Sequence, residues 1–86
     1  MNDSVFFLKD YGSVKIILKD ILDMKEIARN KLSKLTGLSY NTINRYYKNA
    51  PITSVDLDIL AKICFVLNCE ISDLLKYEHH ETQQDN

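Results

Sequence analysis

The chain has 86 residues, enough for one domain, and its two glycines and one proline favour helices over extended sheet. It lacks an apolar run near the roughly 20 residues that cross a bilayer and lacks a secretory signal pattern, so we expect a cytoplasmic protein. It also lacks a glycine-rich phosphate loop, and its two histidines lie in a polar tail, so we expect no enzymatic activity.

The N-terminal part is predicted as a 1–13 extension followed by a first helix. The apolar segment Val5-Phe6-Phe7-Leu8 has strand character, and a turn follows at Tyr11-Gly12-Ser13. Apolar residues then recur at helical spacing over 14–24, although 14–17 also has strand propensity.

Residues 28–48 have the pattern of two short helices joined by a tight turn. Leu32 and Leu35 anchor a helix over 28–36, and Gly37 supplies the positive φ that the turn needs. Ser39 is a suitable N-cap for the next helix, over 40–48, which Ile43 anchors to the core. This arrangement is typical of a helix-turn-helix.

Two further helices complete a predicted all-α bundle of five. Asp56 or Ser54 caps the fourth helix, whose apolar face holds Leu57, Leu60, Ile63, Cys64 and Leu67. A fifth helix over 71–77 is predicted to direct Ile71, Leu74 and Leu75 inward. We therefore expect a domain over 14–77 and a disordered polar tail over 78–86.

The net charge of −1 conceals two oppositely charged segments. Six basic residues and one acidic residue between Lys25 and Lys48 give +5, whereas two basic and seven acidic residues from Asn49 to Asn86 give −5. The positive segment coincides with the helix-turn-helix, which favours an anionic partner there. Alternating charge on solvated helix faces is the simpler alternative.

The third helix carries residue types that read DNA bases. With Ile43 and Tyr46 facing the core, its free surface is predicted to present side chains for base contacts. Asparagine is a poor helix former, so two of them in one short helix favour a functional role over a merely solvated surface. The predicted base-contacting residues are Tyr40, Asn41, Asn44 and Arg45.

The two cysteines do not indicate a metal site. Cys64 and Cys69 have an unfamiliar ligand spacing, and Cys64 falls on the apolar face of the fourth helix. We expect reduced core thiols rather than a zinc site with His79 and His80, and no cofactor.

The segments NKLSKLTGLSYNTINRYYKN and DLDILAKICFVLNCEISDLLKY resemble the lambda-repressor-like (Cro-type, XRE-like) helix-turn-helix family over about 14–77. The resemblance implies a five-helix bundle whose third helix enters the major groove. It assigns base reading to the four residues above and a phosphate contact to Arg29, where the family usually has glutamine. The predicted phosphate contacts are Arg29, Lys31, Lys34, Ser39, Thr42 and Lys48.

Two departures from the family pattern are visible. Ser33 replaces the usual alanine, and Tyr47-Lys48-Asn49 replaces the usual end of the third helix. Neither is expected to prevent the fold, but the second leaves the exact end of that helix open.

The function expected from the sequence is a sequence-specific transcriptional regulator that binds double-stranded DNA, acts as a repressor and forms a homodimer. Residues 5–8 either form the dimer contact or fold back onto the bundle. The alternative is a protein-interaction module, such as an antitoxin or antirepressor, that uses the same fold to bind a protein partner. The abundance of Lys, Asn and Ile is typical of AT-rich bacterial or phage genomes.

Overall fold

The computed structural model describes residues 11–48 and 52–79, and this part of the chain is mostly helical. It contains four α-helices, one 3-10 helix and a two-stranded sheet. In chain order the elements are β1 (Ser13–Ile16), α1 (Leu18–Lys25), α2 (Arg29–Thr36), α3 (Tyr40–Tyr47), α4 (Leu57–Leu67), a 3-10 helix (Ile71–Asp73) and β2 (Leu75–Glu78). The predicted strand at 5–8, the chain at Asn49–Pro51 and the tail from His80 lie outside the described residues.

The predicted helix-turn-helix is confirmed at both of its junctions. Gly37 ends α2 with φ of 76° and donates its N–H to the Ser33 carbonyl. Ser39 begins α3, and its hydroxyl oxygen accepts the Thr42 N–H at 3.1 Å. The left-handed residue and the side-chain cap stop one helix and start the next within three residues.

The two ends of the domain differ from the all-α prediction, because they pair as antiparallel strands. Val14 lies opposite Tyr77, and Ile16 lies opposite Leu75. The predicted fifth helix is instead a single 3-10 turn followed by β2. The reason lies in the segment Leu75–Glu78, where apolar and charged residues alternate with the period of a strand. The strand propensity of 14–17 likewise prevails over the helical spacing, so α1 begins only at Leu18.

The hydrophobic core draws on all four α-helices and on the sheet. Leu32 of α2 and Ile43 of α3 are both 0% exposed, and α2 packs against α3 and α4. The buried core residues are Ile16, Leu18, Ile21, Leu22, Leu32, Ile43, Tyr46, Leu60, Ile63, Leu67 and Leu74.

Several apolar residues predicted to face inward are exposed instead. Leu35 is 53% exposed and Leu57 is 77% exposed, and Val14, Met24 and Ile71 also lie at the surface. The apolar faces of these short elements are wider than the surfaces that their neighbours cover. Helical spacing identifies an apolar face, but it does not show how much of that face is covered.

Tyr46 joins α3 to the start of α4. Its ring is 1% exposed, and its hydroxyl oxygen accepts the Asp56 N–H at 3.1 Å. Asp56 in turn caps α4, because its carboxylate accepts the N–H groups of Asp58 and Ile59. Of the two predicted caps, Asp56 is therefore the one used.

None of the described helices is long and apolar enough to cross a membrane.

We predict that Gly12→Ala disrupts the sheet. Gly12 has φ of 81°, and a Cβ there would lie 2.2 Å from the backbone oxygen of Glu78. The substitution should accelerate amide hydrogen exchange in β1 and β2. Gly37→Ala is the matched control, because Gly37 has a similar φ of 76° but no atom within 4 Å of the added Cβ. The control should cost only the backbone term of about 1–2 kcal/mol and leave exchange in the sheet unchanged. Equal exchange rates in the two variants would contradict the steric argument.

We predict that Tyr46→Phe lowers the free energy of unfolding by about 0.5–1.5 kcal/mol, because the hydrogen bond from the Asp56 N–H to the Tyr46 hydroxyl is lost. Urea titration followed by circular dichroism measures the change. Tyr47→Phe is the control, since its half-buried ring is retained. A Tyr46→Phe variant as stable as this control would show that the hydroxyl contributes nothing to stability.

Candidate nucleic-acid interface

One face of α3 packs on the core, and the opposite face is open to solvent. Ile43 and Tyr46 are buried, which fixes the rotation of the helix about its axis. Tyr40 is 44% exposed, and Asn41, Arg45 and Lys48 are also exposed. The helix therefore presents the predicted base-reading side chains together, with Asn44 half-buried at their edge.

Arg29 links the start of α2 to this face. Its guanidinium donates a hydrogen bond to the Asn44 side-chain oxygen. Its central carbon lies 4.2 Å from the centroid of the Tyr47 ring and 5.8 Å from that of the Tyr40 ring. A planar cation held by a hydrogen bond and by aromatic faces has a defined position. Arg29 is thus fixed between α2 and α3 rather than extended into solvent.

The contact with Arg29 also orients Asn44. A guanidinium can only donate, so the amide oxygen of Asn44 must face Arg29 and the NH₂ group must face away. A bidentate contact to adenine requires both the oxygen and the NH₂ group of an asparagine. In this arrangement Arg29 takes one of the two lone pairs of the Asn44 oxygen, and the NH₂ group of Asn44 faces away from Arg29.

A groove of about 460 Å³ lies beside Arg29, between the end of α1, the start of α2 and α3. Ala28, the residue before α2, offers no side-chain cap, so the first amides of that helix remain for an anion. Asp23 lies at the rim, where it pairs with Lys19 at 2.8 Å and raises the pKa of that lysine. The groove is lined by Asp23, Ile27, Ala28, Arg29, Asn30, Tyr40 and Tyr47.

The remaining predicted phosphate contacts lie on α2 and at the two ends of α3. Lys31 and Lys34 are exposed on α2 and border a second groove with Asn30 and Leu35. Lys48 is exposed at the end of α3. Ser39 and Thr42 lie at its start, where their hydroxyl oxygens are 3.0 Å apart and share a hydrogen bond.

Five residues that line the first groove were not predicted as site residues, namely Asp23, Ile27, Ala28, Asn30 and Tyr47. Tyr47 supplies the ring on which Arg29 stacks, and Asn30 borders both grooves. Tyr47 directly follows the buried Tyr46, and no spacing pattern in the sequence points to it. The pairing of Arg29 with Asn44, 15 residues away, leaves no periodic pattern.

Cys64 and Cys69 are free thiols, both half-buried. Burial and the neighbouring Cys64 raise the pKa of the Cys69 thiol to about 11, so it is protonated at neutral pH. Within 11–48 and 52–79, no three His, Cys, Asp or Glu side chains are grouped as metal ligands.

The comparisons with known proteins agree with this geometry. A model of the Cro/C1-type HTH DNA-binding domain matches residues 18–80. A candidate DNA-binding protein from Bacteroides fragilis superimposes with a TM-score of 0.65 at 28% identity, covering 74% of this chain and 100% of that chain. The transcriptional regulator VanUg superimposes with a TM-score of 0.61, covering 81% of this chain and 93% of that chain. At 23% identity, the likeness to VanUg shows the fold alone.

A search of curated proteins found no similar sequence. The family model, however, extends from the first residue of α1 to just beyond β2 and includes the helix-turn-helix. The resemblance seen in the sequence is thereby confirmed, and the chain belongs to the Cro/C1-type HTH DNA-binding domain family.

Proposed function

We propose that the protein is a sequence-specific transcriptional regulator that binds double-stranded DNA with α3 in the major groove. The observation that carries the proposal is the open face of α3, where Asn41 and Arg45 are exposed beside the anchored Arg29. Family membership supports the same mode of binding. We further propose that it represses transcription by occluding a promoter and that it binds as a homodimer.

Charge supports a polyanionic partner at this face. The segment Lys25 to Lys48 has six basic residues and one acidic residue, a net +5. Lys31 and Lys34 are exposed on α2 and Lys48 is exposed at the end of α3, where they are available to contact phosphates. Screening of these contacts by salt should make the affinity strongly dependent on ionic strength.

The roles proposed within the face differ from one side chain to another. Asn41 is exposed and has both amide atoms free of the Arg29 contact, which suits adenine, and Arg45 suits guanine. Asn44 donates its NH₂ group to a base acceptor or a phosphate, while its oxygen accepts from Arg29. Arg29 and the uncapped amides of α2 bind a phosphate at the groove, which Tyr40 and Tyr47 help to shape. Ser39 and Thr42 contact the backbone at the start of α3.

The first experiment is selection from a random duplex pool at about 50 mM and about 200 mM salt, with the full chain. We expect enrichment of a motif with two-fold symmetry. Asn41→Ala and Arg45→Ala should each lose about 1–3 kcal/mol of discrimination at one base pair per half-site. Lys34→Ala should weaken binding to all sequences and reduce the salt slope by about one.

Lys76→Ala is the control for these substitutions, because Lys76 is exposed on β2, away from α3. It should leave both the motif and the salt slope unchanged. If no sequence enriches, and the weak binding that remains disappears at the higher salt, the proposal fails and the protein-interaction alternative is favoured.

A second prediction separates the charge of Arg29 from its geometry. Arg29→Lys keeps the positive charge but loses the planar group that stacks on Tyr47 and holds Asn44. The salt slope should stay near that of the wild type, while discrimination relaxes at the base pair nearest Asn44. Arg29→Ala should change both. The interpretation is wrong if Arg29→Lys retains full discrimination at every position of the motif.

A further inference from the structure

The outer face of α4 carries a row of apolar side chains that no described residue covers. Leu57 is 77% exposed, Phe65 is 86% exposed, and Ala61 lies exposed between them. The spacing of four residues places all three on one side of the helix. We call Leu57, Ala61 and Phe65 the α4 patch. Side chains as large as Phe and Leu on one open helix face are typical of an interaction surface.

A groove extends the α4 patch towards α2. It has a volume of about 290 Å³ and is bordered by apolar atoms of Leu35 and Val66. Leu35 is itself 53% exposed. Its full lining is Leu35, Thr36, Ala61, Lys62, Phe65 and Val66. The groove gives the patch a concave side, next to Phe65, that an apolar side chain of a partner can fill.

We infer that the α4 patch binds a second copy of this chain, with the two α4 helices antiparallel about a two-fold axis at Ala61. In that arrangement Leu57 lies opposite Phe65 of the partner subunit and enters the groove beside it. The same contact is made twice, as a two-fold axis requires. The small side chain of Ala61 allows the helices to approach each other at the centre.

Charge selects the antiparallel arrangement. Asp58 and Lys62 flank the patch and pair within the helix at 3.2 Å. Antiparallel packing about Ala61 places Asp58 within about 3 Å, along the axis, of Lys62 of the partner subunit. Parallel packing in register would instead place each charge beside its own copy. The patch is therefore complementary to itself in one orientation and repulsive in the other.

The α4 patch and the DNA-binding groove lie towards opposite ends of α2. Leu35 borders the former and Arg29 the latter, about 9 Å apart along the helix axis. The inference rests on the proposed function only in that a two-fold DNA site favours a dimer. Its test is made without DNA, so that failure of either proposal can be recognised separately.

Sedimentation velocity of the full chain over a range of concentrations tests the inference. We expect a monomer–dimer equilibrium whose dissociation constant rises about tenfold or more in Phe65→Glu. Because Phe65 is 86% exposed, this variant should fold, which circular dichroism checks. Met24→Glu is the matched control, since Met24 is 73% exposed outside the α4 patch, and it should dimerise like the wild type.

A charge exchange tests the orientation. Asp58→Lys makes both flanking residues basic, and Lys62→Glu makes both acidic, so each variant alone should dimerise more weakly than the wild type. An equimolar mixture should form the heterodimer, because opposite charges then face each other twice. Single variants that dimerise as well as the wild type overturn the antiparallel arrangement, because parallel packing in register would only exchange one pair of like charges for another.

Two other outcomes overturn the inference as a whole. One is a wild-type chain that stays monomeric at all concentrations. This outcome includes a chain whose own residues 5–8 cover the α4 patch. Deleting residues 1–10 would identify that case by turning the monomer into a dimer. The other is a dimer that Phe65→Glu leaves intact, which would place the contact elsewhere.

Discussion

The structure depends on the packing of Leu32 against the buried side of α3. Helix α3 has only eight residues, and an isolated helix of two turns is not stable in water. Ile43 and Tyr46 bury that side completely, and the Tyr46 hydroxyl extends the attachment to the start of α4. Because these contacts fix the rotation of α3, they determine which of its side chains reach solvent. The core contacts therefore decide that Tyr40, Asn41 and Arg45 lie on the open face of α3.

Arg29 adds a second constraint, on the polar side of the same helix. It holds the amide of Asn44 in one orientation and stacks on Tyr47, so these side chains of α3 are ordered before any ligand binds. A side chain that is already ordered loses less conformational entropy on binding. The same contact directs the NH₂ group of Asn44 away from Arg29. In the proposed DNA complex, one contact between two adjacent helices would therefore influence both preorganisation and specificity.

Local signals were sufficient for the helix-turn-helix but not for the ends of the domain. Gly37, Ser39 and Asp56 each act within a few residues, through a positive φ or a cap; the first two were predicted singly, and Asp56 was one of two predicted caps. The strands were harder, because 14–17 and 75–78 are compatible with either helix or strand until they pair. Pairing across about 60 residues is a tertiary effect that overrides weak local preference. The contact of Arg29 with Asn44 is non-local in the same way.

The exposed apolar residues show a further limit of periodicity, and one with a functional consequence. Leu57 and Phe65 are large apolar residues of α4, like the core residues of the same helix, yet nothing in the described part of the chain covers them. Leu57 has the helical spacing of the apolar residues of α4, so the sequence alone assigns it to the core. Its exposure can be recognised only from the positions of α2 and α3 in the structure. Helix α4 contributes Leu60, Ile63 and Leu67 to the core of the domain and carries a second apolar row outside that core. The described part of the chain therefore leaves some of the apolar surface of α4 uncovered. A symmetric partner would cover that surface without any further segment of chain, and it would do so away from the end of α2 where Arg29 meets α3.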